Sequence, residues 1–448
     1  MRHKRLLSFF ALFFVITHNA SAQPGIITLF AGKGANSYGG DGNVATSAYL
    51  NNPRGLAKDD SGNIYIADQA NYRIRKINKA GIISTFAGTG VSGFSGDGGP
   101  AILAKIGNLV SVAVDDTGNV YVADGGGLNN RIRKINKSGT ITTIAGNGSS
   151  TFSGDGGPAT AAGFSDLVAL TIDHANNIYV SDIGPGYNSR IRKITTTGNI
   201  STIAGGGTGG DGGPAIAARL ILPTGVAVDK SGNVFIADNQ TSTIRKVSAT
   251  SGIITTVAGG GTGADGGPAD SAQITVWYNS VTVDDTGNLY IADFGNHLIH
   301  KVNRADSISI IAGTGASGSG GNGGPAIAAT LEDPMGIIID HLGNIYFTDA
   351  GSIRKISGDT AVSGGTGASV ANIMRKEDVS IYPNPAHDLI QINSLNNIQT
   401  ITITNAIGQI VYSNSCNTTK AQICIQNLLP GLYFIKLNNT YFQKIIKE

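Results

Sequence analysis

Charged residues are scarce in this chain of 448 residues. Asp, Glu, Lys and Arg together make up 14% of it and leave a formal net charge of +2. A nearly neutral chain creates no global field that attracts nucleic acid or a membrane surface, so the composition indicates neither partner. Long apolar runs are lacking as well. The run at 6–16 is too short to span a bilayer, and no other segment is long enough, so we predict no transmembrane segment.

Cysteine is nearly absent. The chain has only Cys416 and Cys424, and the repeated region described below has none. An oxidising compartment would allow a disulfide between them, and two buried thiols in facing strands are the alternative. The chain also lacks a nucleophile elbow and the Lys-Ser/Thr that completes a P-loop. The sequence therefore predicts neither a serine nucleophile nor a phosphate-binding loop.

The N-terminus has the pattern of a secretory signal peptide. Basic residues at 2–5 precede the apolar run at 6–16, and the small residues Ala20, Ser21 and Ala22 precede Gln23. This order of basic, apolar and small residues predicts a signal peptide at 1–22. No cysteine lies near the cleavage site, so a lipid-anchored lipoprotein is not indicated.

Repetition is what the chain has in abundance. A D-x-x-G-N turn followed by a strand-like run recurs six times between residues 25 and 356 with little variation. Counted between the first aspartates, the periods are 56, 58, 56, 55 and 56 residues. A fixed period with strand-like content is typical of solenoids and propellers, in which each unit packs only against its neighbours. The first aspartates are Asp59, Asp115, Asp173, Asp229, Asp284 and Asp340.

Each unit contains four short runs rich in Val, Ile, Thr and Tyr, separated by turn residues. This pattern predicts a four-stranded antiparallel meander, and six such units predict an all-β fold, a six-bladed β-propeller at 23–357. The sixth unit ends at Ser352–Ile356 without a fourth strand, whereas Gly25–Gly32 matches a fourth strand. We therefore expect Gly25–Gly32 to pair beside Ser352–Ile356, because this pairing would remove an open edge.

The units resemble NHL repeats of the bacterial kind that carries GDGGPA-type insertions. The D-x-x-G-N turns, the RIRK runs and the GDGG loops carry the resemblance, which covers residues 25–356. It implies the propeller fold. It implies no particular activity, because propellers host many unrelated functions.

A different unit follows the repeats. Residues 358–378 are rich in Gly, Ser, Thr and Ala and read as a flexible linker. Residues 379–448 alternate apolar and polar positions between Gly and Pro turns, which predicts a small β-sandwich. An adhesion-type sandwich is one interpretation of this unit.

The motifs of this last unit are more specific. YPNPA at Tyr382–Ala386, NAIGQIV at Asn405–Val411 and LLPGLYF at Leu428–Phe434 resemble the C-terminal sorting domain of the type IX secretion system. The resemblance implies that the secretion machinery is a partner. It also implies a protein that is secreted or held at the outer-membrane surface.

The positions at which the six copies disagree are the candidate binding residues. They lie on the loop that feeds the first strand of each unit, which we expect to ring the mouth of a central channel. Trp277, the only tryptophan, either presents an exposed aromatic anchor there with Tyr278 or fills the core. The candidates are Arg54, Asn108, Asp166, Thr224, Trp277, Tyr278, Asn279, Asp333 and Met335.

A metal-dependent enzyme is the alternative function, because six-bladed propellers include calcium lactonases and zinc lyases. Such a site needs several carboxylates or imidazoles that converge at the channel. The first strands of the units are almost entirely apolar, with Lys58 as their only charge. The histidines do not converge on the inner mouth: His174 and His341 share an outer turn position, and His300 stands in place of an RIRK arginine. We therefore assign no catalytic residue, metal ligand or cofactor, and expect a binding module for a protein or carbohydrate ligand.

Two repeated charged features have structural and functional interpretations. The aspartates of the GDGG loops, such as Asp97, either bind calcium or cap a turn before a short helix opened by a proline such as Pro100. The RIRK runs either form a nucleic-acid surface or pair with the aspartates that end the second strands, such as Asp124. Because strand alternation and six units spread the basic residues, we expect a salt-bridged scaffold and no nucleic acid.

Overall fold

The computed structural model describes residues 25–125, 129–275, 280–358, 379–405, 409–437 and 441–448. These residues form two compact units, which divide between residues 359 and 360. The predicted signal peptide, the linker from residue 359 onwards and the candidate residues Trp277, Tyr278 and Asn279 lie outside the described residues.

Six sheets of four antiparallel strands make up the described part of the first unit. Five sheets take their strands in chain order, and the last receives its fourth strand, β1 (Ile27–Ala31), from the N-terminus. The first three sheets are β2 (Pro53–Lys58), β3 (Ile64–Asp68), β4 (Arg73–Ile77) and β5 (Ile83–Ala87); β6 (Asn108–Val114), β7 (Val120–Gly125), β8 (Arg131–Ile135) and β9 (Ile141–Ala145); and β10 (Leu167–Ile172), β11 (Ile178–Asp182), β12 (Arg190–Ile194) and β13 (Ile200–Gly205). The other three are β14 (Pro223–Val228), β15 (Val234–Asp238), β16 (Thr243–Val247) and β17 (Ile254–Gly259); β18 (Ser280–Val283), β19 (Leu289–Asp293), β20 (Leu298–Val302) and β21 (Ile308–Ala312); and β22 (Pro334–Ile339), β23 (Ile345–Asp349) and β24 (Ser352–Ile356) with β1.

The D-x-x-G-N turn joins the first two strands of each sheet. In the first sheet Asp59 accepts hydrogen bonds from the backbone and side-chain amides of Asn63 at 2.8 and 2.7 Å. Gly62 has a φ of 85°, the left-handed conformation that glycine adopts at little cost. The third copy has Asn176 at this position with a φ of 61°, and asparagine is among the few other residues that tolerate it.

Strand β1 completes the last sheet as the sequence predicted. It runs antiparallel to β24, with Ile27 opposite Ile356 and Thr28 opposite Lys355. The first strands of the sheets also pack side by side, in the order β2, β6, β10, β14, β18 and β22, and β22 packs on β2. The six first strands therefore surround a central channel.

Short 3₁₀ helices occupy two kinds of connection. Among the described residues, six follow the GDGG-type loops: Ala45–Ser47, Ala101–Leu103, Ala159–Ala161, Ala215–Ala217, Ala269–Ser271 and Ala326–Ala328. A proline directly precedes each of them except the first, as predicted. Three others connect second to third strands: Gln69–Asn71, Pro185–Tyr187 and Asn239–Thr241. Among the described residues, no helix is long and apolar enough to cross a membrane.

The second unit is a five-stranded antiparallel arrangement with its own buried core. Its strands are β25 (Val379–Tyr382), β26 (Leu389–Asn405), β27 (Ile410–Cys424), β28 (Gly431–Leu437) and β29 (Tyr441–Lys447). The long strand β26 pairs with β25 through its first half, with β28 through its second half and with β27 along both. Ile392, Ile403 and Ile435 are fully buried in the core. Hydrogen bonds thus join all five strands into one sheet.

The two cysteines do not face each other across strands. Both lie on β27, and both are free thiols. Cys416 is partly buried and donates to the carbonyl of Ile398, whereas Cys424 is exposed. The alternative of two buried thiols in facing strands was therefore wrong, because residues of one extended strand cannot oppose each other.

Candidate functional site

A small cavity at one end of the channel gathers candidate residues from different sheets. Its volume is about 60 Å³. Three predicted site residues, Arg54, Thr224 and Met335, line it. Val110 and Val168, which hold the same position in their own units, line it too. The position at which the copies disagree most is thus the position that the fold brings together.

A β-bulge explains why these side chains reach the cavity. At the start of each first strand from β2 to β14, and again in β22, the register with the second strand shifts. In the second sheet Leu109 lies opposite Asp124 and Ser111 opposite Ala123, which leaves Val110 without a partner. In the fourth sheet Pro223 lies opposite Asp238 and Gly225 opposite Ala237, so the register skips Thr224 in the same way. Because a bulge bends the strand and redirects a side chain, it explains how each of these five sheets presents a residue to the channel mouth.

The other described candidates lie outside this cavity lining. Asn108 and Asp166 are exposed, and Asp333 is half-buried with a φ of 56°. Asn108 accepts a hydrogen bond of 2.6 Å from Gln69 of the neighbouring sheet. The protein around Asp166 desolvates its carboxylate and raises its pKa. These three residues therefore do not line the cavity.

A larger cavity of about 320 Å³ continues along the first strands. Its lining is apolar apart from backbone, a few hydroxyls, Lys58 and His174. Lys58 pairs with Asp340 of the last sheet at 3.6 Å. Among the described residues, no three His, Cys, Asp or Glu side chains lie close enough together to hold a metal ion.

The RIRK arginines form the salt-bridged scaffold that the sequence predicted. In the second sheet Arg133 is fully buried, and its guanidinium lies 2.6 Å from Asp97 and 3.7 Å from Asp124. Burial raises the pKa of Asp124 to about 6, although Arg133 opposes this shift. Burial would also raise the pKa of Asp97, but contacts with Thr143 and Arg133 lower it below its usual value.

The GDGG aspartates do not cap their own turns, contrary to one prediction. The loop at 96–100 follows the first sheet, yet Asp97 binds Arg133 and the backbone N–H of Thr143 in the second sheet. The backbone of Gly98 donates to the carbonyl of Ile141 on the outer strand of that second sheet. Each loop therefore crosses to the next sheet. The signal in the sequence was the nearly constant spacing between the GDGG aspartate and the second RIRK arginine, which is 34 to 37 residues in the first four units.

Comparison with known proteins supports this architecture. Residues 33–93 and 206–313 match the Teneurin NHL domain, and residues 380–448 match the Secretion system C-terminal sorting domain. Teneurin-4 of Mus musculus is 31% identical over 225 residues, which are 44% of this chain and 8% of the relative. NHL repeat-containing protein 2 of Bos taurus is 27% identical over 296 residues, 58% of this chain and 40% of the relative. The chain thus spans less than half the length of these relatives.

Two solved structures from Bacteroides thetaiotaomicron VPI-5482 share the fold. One is a structural genomics protein of unknown function, with 22% identity and a TM-score of 0.55, covering 75% of this chain and 76% of that one. The other is an auxiliary nutrient binding protein, with 15% identity, a TM-score of 0.52 and the same coverage.

The repeats, the sheets and these matches together define the class of protein. The chain contains NHL-type repeats that fold as a β-propeller. It carries a type IX secretion sorting domain at its C-terminus, which indicates export to the cell surface or into the medium.

Proposed function

We propose that this protein is a non-catalytic binding module of the cell surface or the medium, which recognises a protein or a glycan through its channel mouth. The observation that carries the proposal is the convergence of non-repeating bulge residues, among them Arg54, Thr224 and Met335, on one cavity. Scaffold positions repeat between sheets, whereas a mouth whose residues vary between sheets is suited to a specific ligand. The auxiliary nutrient binding protein shows that this fold is compatible with a binding role.

We propose that the ligand site lies on a closed ring of blades. The six sheets would be six blades, joined by β1 and by the contact of β22 with β2. Residues 1–22 would be a signal peptide, 23–357 the propeller and 358–378 a linker. Residues 379–448 would fold as a small β-sandwich that engages the secretion machinery.

The chemistry of the mouth suits a ligand with both polar and apolar groups. Arg54 offers a guanidinium, Thr224 a hydroxyl and Met335 a flexible thioether. The carboxylates of Asp166 and Asp333 and the amide of Asn108 lie further out and would contact a larger ligand. By sequence position we assign three more residues to this set: Trp277, Tyr278 and Asn279.

The proposal is tested by binding measurements with matched variants. The mature chain is screened against a glycan microarray and a panel of purified bacterial surface proteins. Each hit is retested with Arg54→Ala combined with Met335→Ala. The control is Lys58→Ala, at the opposite end of the strand that carries Arg54. We expect the double variant to weaken binding at least tenfold, about 1.4 kcal/mol, and the control to change it little.

A second pair of variants tests the aromatic residues. Trp277→Ala and Tyr278→Ala should each reduce the binding free energy by roughly 1–3 kcal/mol if these residues are anchors.

Two results would overturn this function. Hits that bind the double variant as well as the parent chain would place recognition elsewhere. One tightly bound zinc or calcium per chain together with lactonase or lyase turnover would establish the metal-dependent enzyme instead.

A further inference from the structure

Five of the six sheets bury an arginine at one equivalent position of the third strand. The side chains of these arginines are at most 7% exposed. In the second sheet the guanidinium of Arg133 also donates to the carbonyls of Ser95 and Lys105, both at 2.8 Å. Each of these five sheets thus holds an internal guanidinium in a buried site. The five arginines are Arg75, Arg133, Arg192, Arg245 and Arg354.

The fifth sheet keeps this site but not the arginine. His300 stands at the equivalent register, opposite Ile310 as Arg133 stands opposite Thr143. A cavity of about 330 Å³ lies beside it, because imidazole is shorter than the arginine side chain. Its lining includes Gly263, Asp265 and Gln273, which are the counterparts in sequence of Ser95, Asp97 and Lys105.

The acceptors of this cavity are already in position. Asp265 accepts the backbone N–H of Ile310 at 2.6 Å, as Asp97 accepts that of Thr143 at 3.0 Å. His300 is buried, and its Nε2 lies 3.2 Å from Asp293. Its Nδ1 is buried without a hydrogen-bond partner. The cavity therefore presents the carboxylate that elsewhere binds an internal guanidinium, beside an unsatisfied buried polar atom.

The aromatic lid of the first three sheets is also missing here. In the second sheet the ring of Phe94 covers the guanidiniums of Arg131 and Arg133 at 4.0 and 5.0 Å. The fifth sheet has Thr262 in place of this aromatic residue and Leu298 in place of the first arginine. Asp265 at the cavity is exposed, so a ligand can enter from solvent.

We propose that the cavity beside His300 binds the guanidinium group of an external ligand, either free arginine or an arginine side chain of a peptide. The planar, five-donor fork of guanidinium matches a site built from one carboxylate and converging carbonyls. This site goes beyond the proposed function, because it shares no lining residue with the cavity at the channel mouth.

Titration of the mature chain with N-acetyl-arginine amide tests the proposal. N-acetyl-citrulline amide, a neutral analogue of the same shape, and N-acetyl-lysine amide serve as comparisons. We expect one site for the arginine compound, with at least tenfold weaker binding of the other two. His300→Arg should fill the cavity with an internal guanidinium, abolish binding and raise the melting temperature. Equal binding of the citrulline compound, or unchanged binding by His300→Arg, would overturn the proposal.

A gain-of-site variant provides an independent test. The fourth sheet resembles the fifth, with Thr208 in place of the aromatic lid and Thr243 in place of the first arginine. Arg245→His should therefore create a second site and raise the stoichiometry from one to two. A folded Arg245→His chain with one site would contradict the proposal. If this variant does not fold, the comparison of the parent chain with His300→Arg still tests the proposal.

Free L-arginine and Gly-Arg-Gly, titrated separately, distinguish a small molecule from a peptide as the source of the guanidinium group.

Discussion

At the scale of single residues, some of the few charges of this chain lie buried inside it. The side chains of Arg75, Arg133 and Arg192 are fully buried, and each contacts two aspartates. A buried charge is costly unless its partners compensate for its lost hydration. Backbone carbonyls complete that compensation, as those of Ser153 and Gly163 do for Arg192. Arg192 thus links the loop that carries Asp155 to Asp182 of its own sheet.

Replacement of Arg192 should be strongly destabilising. Arg192→Met leaves Asp182 buried without its countercharge, and removal of one partner from a buried pair costs about 3–5 kcal/mol. The control is Arg190→Met, two residues away on the same strand, where a half-buried arginine stacks on Phe152. This control should lose about 1 kcal/mol or less. Urea denaturation of both variants measures the difference. Equal losses would show that the buried ion pairs of Arg192 stabilise the fold no more than the half-buried stacking contact of Arg190.

At the scale of elements, the GDGG loops protect the outer edges of the sheets. An unpaired outer strand is a site of aggregation. The backbone at 98–101 pairs with β9, and the equivalent loops pair with β5, β13, β17 and β21. The loop at 323–326 does the same for β1, where Gly323 donates to the carbonyl of Ile27. The N-terminal strand is therefore held on both sides.

The sequence predicts this level of structure unevenly. The turns follow directly from Gly62 and its counterparts, because this signal is local. The missing fourth strand beside Ser352–Ile356 predicts the partner of β1, because it is found by comparing one unit with the next. The bulge at Val110 and the contact of Asp97 with Arg133 were not predicted. They depend on hydrogen-bond register and on packing between sheets, which no local pattern specifies. For the same reason only part of the predicted ring reached the cavity.

The role of β1 predicts a contrast between two adjacent isoleucines. Ile27 is fully buried between sheets, whereas Ile26 is 37% exposed. Ile27→Ala should cost about 2–5 kcal/mol, as for other large-to-small substitutions in a core. Ile26→Ala should stay within about 0.5 kcal/mol. Thermal and urea unfolding of the two variants provide the comparison. A near-neutral Ile27→Ala would show that the first strand contributes little to closure.

At the scale of the whole molecule, we assign ligand binding to the first unit and export to the second. The propeller carries the proposed binding surfaces, and the C-terminal unit is matched over residues 380–448 by a secretion sorting domain. That unit buries its own core, with Ile390, Ile401 and Leu437 nearly or fully inaccessible. A core of its own is what an independently folding domain requires. Sorting and recognition can therefore be separated by truncation.

Deletion of residues 379–448 should separate export from folding. In a bacterium with a type IX system, we expect the truncated chain to cross the inner membrane and remain inside the outer membrane, because the sorting domain is absent. The full-length chain is the control and should reach the surface or the medium. Limited proteolysis of the retained chain should show a resistant propeller, because the six sheets and their closing strand β1 all lie before the deletion. Release of the truncated chain in normal amount would contradict the sorting role. A protease-sensitive retained chain would contradict independent folding, and the two outcomes are distinguishable in one fractionation experiment.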